Sequence, residues 1–378
     1  MLPTKVSARS LYVHVPFCKH RCGYCDFPLV AGRDHLIDDY LRAVECESHR
    51  FNVASPLQTI FFGGGTPTQL STTQLDRLFR IIAEIAPRES GCEVTMEANP
   101  NDLLPEKLDC LLSHGVTRVS LGVQSFQCDK LVRLERTHEP AQAIDGIQRM
   151  LASGFNVSVD LIFGVSGESK ASWIADLRTA VDLGVQHVST YHLTIEKGTA
   201  FWTRRLHGQI LDIDETLGAE MYEMAIDTLT EEGFEHYEVS NFCRPGHACQ
   251  HNEVYWTGRP YLGLGPGAAS FCAGVRWKNH SSVAMYLRRL QADESPVDSV
   301  EKLEPEMAAR ERLVFGLRRL AGIDAGEFKI ATGFSVERLG GEKLERWIAD
   351  GLLVRDGQTL RLTRSGLMIS DSLWPDLL

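Results

Sequence analysis

The stretch YVHVPFCKHRCGYCDF, residues 12–27, is the most informative part of this chain. It places Cys18, Cys22 and Cys25 in the spacing C-x3-C-x2-C, directly after a short apolar run typical of a β-strand. Three thiolates on one loop can hold three corners of a [4Fe–4S] cube and leave one iron without a protein ligand. By analogy with zinc sites, an open coordination position indicates chemistry rather than a purely structural role. The loop therefore predicts a [4Fe–4S] centre.

Two other interpretations of these cysteines stay open from the residues alone. A zinc site would need a fourth ligand, such as His14 or His20, but zinc motifs usually come as paired halves and no second half has suitable spacing here. A disulfide framework is not expected in a chain of 378 residues with no secretory signal.

The composition is ordinary for a globular protein with a large core, at 43% hydrophobic and 24% charged residues. The net charge of −11 argues against a nucleic-acid partner, because such surfaces are normally basic. No apolar run approaches the length of a membrane span, so we expect no integral membrane segment. Ten mostly isolated cysteines suggest a reducing compartment, and we expect a cytoplasmic protein.

Short apolar runs alternate with helical periodicity from residue 10 to about 195. The predicted strands are Ser10–Val15, Gln58–Phe62, Cys92–Ala98, Val116–Val123, Asn156–Phe163 and Val185–Leu193. The predicted helices are Leu36–Phe51, Thr73–Ile85, Pro105–Ser113, Ala141–Ser153 and Lys170–Leu183. Repeated βα units imply a parallel sheet with right-handed crossovers. The pattern predicts an α/β fold with a partial (β/α)6 barrel of the TIM type, and a doubly wound open sheet is the alternative.

The rest of the chain follows other patterns. Residues 214–232 predict a helix, and residues 233–275 are rich in glycine, aromatics and histidine without clean periodicity. Helices over 304–319, 324–330 and 336–350 precede a hairpin with an Asp356-Gly357 turn, an arrangement similar to a winged helix. We expect a barrel with the cysteine loop over residues 1–200, a barrel extension over 201–300 and a winged-helix-like α+β domain over 301–378.

Polar residues or glycines lie at or just after the end of each predicted barrel strand. These are the cysteine loop, the run Gly63-Gly64-Gly65-Thr66, then Glu97, Gln124, Asp160, Tyr191 and His192. In βα barrels the active site lies at the C-terminal ends of the strands, so these residues are expected to converge. Backbone amides and carbonyls of the glycine run can approach a ligand closely because no Cβ intervenes.

Five runs together, YVHVPFCxxxCxYCDF, FFGGGTPT, LGVQSF, VDLIFG and YHLTIEKGT, resemble the coproporphyrinogen oxidase-like branch of the radical S-adenosylmethionine (SAM) proteins. The resemblance extends from Tyr12 to the winged-helix-like tail. It implies that the amine and carboxylate of SAM chelate the open iron, and that the glycine run helps to bind these two groups. The implied SAM contacts are Tyr12, Tyr24, Gly64, Gly65, Thr66, Glu97, Gln124, Arg136 and Asp160.

Within this branch two features resemble the HemW-type haem chaperones rather than the oxidases. The oxidases carry a fourth cysteine where this chain has Phe27, and they have a longer segment before the first strand. Residues 251–256, HNEVYW, also resemble the HNxxYW motif of HemW-like proteins, which implies haem contacts by His251, Tyr255 and Trp256. Taken as residues alone, Cys243, His247, Cys249 and His251 are an alternative metal-ligand set of uncommon spacing, and His192 is a second candidate haem contact.

The resemblance thus implies a haem chaperone that binds [4Fe–4S], SAM and haem and delivers haem to haem-requiring apoproteins. An electron donor would be needed if SAM is cleaved. The alternatives are an oxygen-independent coproporphyrinogen III dehydrogenase, which would decarboxylate its substrate oxidatively, and another radical SAM enzyme that modifies a tetrapyrrole.

Overall fold

The computed structural model describes residues 5–378 and is built around a nine-stranded sheet. Six parallel strands follow one another in chain order: β1 (Ser10–Val15), β2 (Leu57–Gly64), β3 (Arg88–Ala98), β4 (Arg118–Gln124), β5 (Asn156–Phe163) and β6 (His187–His192). Each pairs with the next in parallel register. A doubly wound sheet reverses its strand order at a switch point. This order does not reverse, so the doubly wound alternative is wrong and the barrel prediction is confirmed.

Helices connect these strands: α1 (Ile37–Ser48), α2 (Thr72–Ala83), α3 (Pro105–Ser113), α4 (Cys128–Arg133), α5 (Pro140–Ala152) and α6 (Lys170–Asp182). The helix α2 illustrates how the sequence sets their limits. Ser71 caps it and forms a reciprocal capping box with Gln74. Leu75, Leu78 and Phe79 on one face of α2 are buried against the sheet.

Three more strands extend the sheet without closing it. Beyond β6 lie the antiparallel strands β7 (Glu235–Glu238) and β8 (Asn241–Cys243), and β9 (Leu262–Leu264) lies parallel beside β1. The outermost strands β7 and β9 are not paired with each other, so the barrel is partial. Three helices belong to this part of the chain: α7 (Ala200–Leu206), α8 (Glu215–Glu231) and α9 (Gln250–Trp256).

A second sheet follows, made of β10 (Ala269–Cys272), β11 (Val275–Asn279) and β12 (Val297–Lys302), with α10 (Val283–Gln291) between the last two. The last 75 or so residues contain α11 (Pro305–Leu317), α12 (Ala325–Thr332), α13 (Val336–Ala349), α14 (Arg364–Met368), α15 (Ser370–Leu373) and a small sheet of β13 (Ile323–Asp324), β14 (Leu353–Asp356) and β15 (Thr359–Leu362). The predicted hairpin is present, with Asp356 paired to Thr359 across the turn. The division of the chain at residues 200 and 300 stays a prediction.

Within residues 5–378, no helix combines the length and the apolar character that crossing a membrane requires.

Candidate metal centre

One cavity of about 430 Å3 opens at the C-terminal ends of the barrel strands and is lined by Cys18, Cys22 and Cys25. The strand ends bring most of the other predicted residues to the same place. The cavity is also lined by Tyr24, Gly64, Gly65, Thr66, Glu97, Gln124, Arg136, Asp160, Tyr191 and His192. The convergence expected from strand-end residues is therefore present.

The cysteine loop is held by contacts that its small residues allow. The amide of Cys25 donates to the carbonyl of Cys22 at 3.0 Å, which makes a tight turn between the two ligands. The amide of Phe201 in α7 donates to the carbonyl of Gly23 at 2.8 Å. A Cβ at Gly23 would lie 2.3 Å from the Phe201 ring, so only glycine allows α7 to pack this closely on the loop.

A chain of hydrogen bonds runs from one cysteine of the loop to another. The Thr66 hydroxyl lies 3.2 Å from the Cys18 sulfur and accepts a bond of 2.9 Å from the Asn99 amide. The side-chain carbonyl of Asn99 in turn accepts a hydrogen bond of 2.6 Å from the Arg136 guanidinium. Arg136 also donates to the Cys22 sulfur at 3.5 Å. Hydrogen bonds and positive charge next to ligand sulfurs orient them and stabilise thiolates.

Asn99 was not among the predicted site residues. Its signal was present in the run MEANP, where it lies two residues after Glu97 and just past the end of β3. The strand-end position that indicates Glu97 thus applies to Asn99 as well.

The cysteine loop is compatible with a cubane cluster, and His20 lines the same cavity. Within residues 5–378, no group of three or more His, Cys, Asp or Glu side chains is gathered closely enough for one metal ion. The thiolates that hold a cubane ligate different irons at different corners, so they need not converge on one point. His14, a candidate fourth zinc ligand, is engaged at both ring nitrogens, by Tyr12 at 3.0 Å and by the Pro28 carbonyl at 2.8 Å.

Two carboxyl groups lie deep in the cavity. Burial, and then the charge of neighbouring Asp160, raise the pKa of Glu97 to about 8. Burial also raises the pKa of Asp160, to about 6, although hydrogen bonds from Ser189 and Ser120 oppose the shift. Near neutral pH the pair therefore carries about one negative charge, which suits a cationic ligand better than an anionic one.

The amides of the glycine run do not face the cavity as donors. The Gly64 amide donates to Glu97 at 2.9 Å, that of Gly65 to Val15 at 2.9 Å and that of Thr66 to Phe17 at 2.7 Å. All three N–H groups are therefore already bonded within the protein, and the predicted contact of the glycine run with SAM would have to use its carbonyl groups. The glycines instead allow close packing, because a Cβ at Gly64 would lie 2.3 Å from the ring of His14.

Tyr12 does not line this cavity, and its predicted contact with SAM stays a prediction. Its hydroxyl bonds to the ring of His14, two residues along the same face of β1. Gln124 does line it and has a φ of 65°, a left-handed conformation that is rare for a residue other than glycine. Such strain is found preferentially at functional sites.

The predicted haem motif lies elsewhere, on α9. His251 is only 1% exposed and its ring nitrogens are engaged by the hydroxyls of Thr59 at 2.8 Å and Tyr255 at 3.0 Å. Burial lowers the pKa of His251 to about 3, so the ring is neutral. In this conformation neither ring nitrogen of His251 is free for haem iron or for the alternative ligand set with Cys243, His247 and Cys249, and its predicted contact with haem stays a prediction.

Tyr255 and Trp256 line a second cavity, of about 490 Å3, which does not share residues with the first. It lies between α9, the second sheet and helices α11 and α12. Most of the predicted SAM residues thus line the first cavity, whereas two of the three predicted haem residues line the second.

Comparisons with known proteins agree with this architecture. The model of the Radical SAM superfamily matches residues 12–180, and that of the HemN C-terminal domain matches residues 303–369. Heme chaperone HemW of Lactococcus lactis subsp. lactis is 36% identical over 98% of this chain and 97% of its own length. Heme chaperone HemW of Bacillus subtilis is 33% identical, over 97% of this chain and 98% of its own length.

Among solved structures, coproporphyrinogen III oxidase (HemN) from Escherichia coli superposes with a TM-score of 0.84 over 97% of this chain and 89% of its own. At 21% identity this likeness shows the fold alone. A three-cysteine loop at the mouth of a partial barrel, with relatives of this identity over their whole length, identifies the chain as a member of the HemW family of radical SAM proteins.

Proposed function

We propose that this protein is a haem chaperone, which binds a [4Fe–4S] cluster, SAM and haem and delivers haem to haem-requiring apoproteins in the cytoplasm. The observation that carries the proposal is the similarity to heme chaperone HemW along nearly the whole chain. Phe27 agrees with it, because a phenyl ring stands where the oxidases have a fourth cysteine and cannot ligate iron. Its side chain is 56% exposed beside the metal cavity.

In this proposal Cys18, Cys22 and Cys25 hold the cluster through three of its irons. When bound, the cluster and SAM supply one-electron chemistry, and the protein's part is to bind and orient them. Thr66 and Arg136 stabilise the thiolates of Cys18 and Cys22 through their hydrogen bonds. Until metal binds, burial raises the pKa of Cys18 to about 11, so assembly of the cluster must displace a proton from this thiol.

The remaining residues of the cavity suit SAM. Glu97 and Asp160 provide the partial negative charge that favours the cationic sulfonium and ammonium groups of SAM. Tyr24 presents an aromatic ring, which packs edge-on against Phe201 at 6.1 Å. An electron donor is required if SAM is cleaved during the cycle.

The test is haem transfer. The reconstituted protein, loaded with haemin, is mixed with apomyoglobin, and transfer is followed by the absorption of the acceptor. We expect haem to bind unchanged in structure and to pass to the acceptor. Failure of the unmodified chain to bind haemin would overturn the proposal.

A further inference from the structure

The cavity beside α9 has the composition of a site for a flat, largely apolar ligand. Its walls carry five aromatic rings, those of Tyr255, Trp256, Tyr261, Phe271 and Phe315. Tyr255 and Tyr261 meet edge to face at 4.8 Å, and Trp256 lies 6.5 Å from Phe315. Aromatic rings at such spacings are suited to packing against a planar ring system.

Three arginines line the same cavity, and they differ in their partners. Arg276 is fully engaged, with Glu311 at 2.9 Å and Glu301 at 2.6 Å. Arg259 donates only to the Thr257 hydroxyl, at 3.0 Å. Among residues 5–378, neither Arg259 nor Arg312 forms an ion pair with a carboxylate.

Of these two arginines, Arg312 is half-buried and Arg259 is exposed at the edge of the cavity, where the charge of Glu253 partly offsets the cost of desolvation. The pKa of each guanidinium lies below its usual range, because burial disfavours the charged form. Buried or half-buried charges in proteins are normally paired. Two unpaired guanidiniums at the edge of an aromatic cavity are complementary to two carboxylates on one apolar ring.

We propose that this cavity is the haem-binding site, in which the aromatic rings cover the macrocycle while Arg259 and Arg312 pair with its two propionates. The proposal rests on the proposed haem-chaperone function and names where the cargo lies. It separates the cargo from the cluster, because the metal cavity and this cavity share no lining residue. It also gives Tyr255 and Trp256 a direct contact with haem, whereas His251 does not line the cavity and reaches it through its hydrogen bond to Tyr255.

The first experiment measures the affinity for haemin and for haemin dimethyl ester, whose propionates carry no charge. We expect Arg259→Gln and Arg312→Gln each to weaken haemin binding by about tenfold, the effect of one charge-assisted hydrogen bond. The ester should bind the unmodified chain as weakly as haemin binds the double variant, and the double variant should no longer distinguish the two ligands. Arg361→Gln, in an exposed position on β15 outside both cavities, is the control and should bind haemin like the unmodified chain.

The second experiment blocks each cavity in turn. Ala308→Trp places a large ring in the proposed site from α11, and Thr194→Trp does the same in the metal cavity. We expect only Ala308→Trp to abolish haemin binding. Retention of the cluster's visible absorption in each variant shows that the barrel is folded.

The outcomes separate this inference from the proposed function. If the unmodified chain binds haemin, but Ala308→Trp and the arginine variants bind it equally well, the cavity is not the haem site and the chaperone proposal stands. Loss of binding in Thr194→Trp alone would move haem to the metal cavity. Absence of haemin binding by the unmodified chain would overturn both.

Discussion

Glu93 provides the most specific stability prediction, because it fixes the helix that carries the HNEVYW motif. It lies on β3 and accepts hydrogen bonds from Arg118 at 3.1 Å and from the backbone amide of His251 at 3.1 Å. Arg118 also donates to the carbonyl of His247 at 2.7 Å. The side chains of the pair are 7% and 3% exposed. This buried ion pair, together with the Thr59–His251 hydrogen bond, therefore holds α9 on the barrel.

The substitution Glu93→Ala leaves the Arg118 guanidinium buried without its carboxylate and the His251 amide without its acceptor. Removing one partner of a buried pair costs about 3–5 kcal/mol of unfolding free energy, because the remaining charge stays desolvated. The same strand offers a matched control. Glu89 pairs with Arg9 at 2.7 Å, but these side chains are 41% and 42% exposed, so Glu89→Ala should cost no more than about 1 kcal/mol.

Urea unfolding followed by circular dichroism measures both losses, and amide hydrogen exchange of residues 250–256 reports α9 itself. We expect Glu93→Ala to lower the unfolding free energy by several kcal/mol more than Glu89→Ala and to accelerate exchange in α9. Equal losses from the two substitutions, with unchanged exchange in α9, would refute this reasoning.

Three further predictions concern the metal cavity. Alanine at Cys18, Cys22 or Cys25 should abolish the cluster's broad absorption at about 400 nm. The control Cys46→Ala changes an exposed cysteine on α1 and should keep this absorption. A full four-iron cluster in Cys22→Ala would contradict the assignment. Thr66→Val removes the hydroxyl next to Cys18 and should lower the cluster's reduction potential, measured by a redox titration, because a donor that stabilises the reduced cluster is lost; an unchanged potential would show that the contact is incidental. The pKa of Glu97 is about 8 in the folded chain against an ordinary 4.5, so the stability of the SAM-free protein should fall as pH rises from 4.5 to 8. The midpoint of urea unfolding measures this fall, which should be smaller in Glu97→Gln. Parallel pH profiles of the two proteins would refute this prediction.

The sequence predicted the barrel well because each strand carries its own local signal. The bounds of β1 and β5 are those expected from their β-branched runs. Pro105 indicates where α3 begins, and Gly115, two residues after the helix, indicates where it ends. The helix α9 was not predicted, because seven residues are too few for periodicity to be read. It depends instead on Glu93 and Arg118, which are distant in the sequence.

The sequence predicted which residues line the metal cavity, but it did not predict their hydrogen bonds. Strand order alone brings Glu97, Gln124 and Asp160 to one end of the barrel. The neighbouring strands decide which backbone amides are already hydrogen-bonded. The hydrogen bonds of the Gly64 and Gly65 amides could therefore not be predicted from the sequence. The same holds for Arg259 and Arg312: only the placement of the segment after α9 beside α11 shows that neither forms an ion pair with a carboxylate of residues 5–378.

The most direct test of the account is an anaerobic assay of the reconstituted protein with SAM and a reductant, run separately with coproporphyrinogen III and with haem. We predict that haem binds and stays intact, and that coproporphyrinogen III yields no decarboxylated product. Formation of protoporphyrinogen with turnover would contradict it and would make the protein an oxidase despite Phe27.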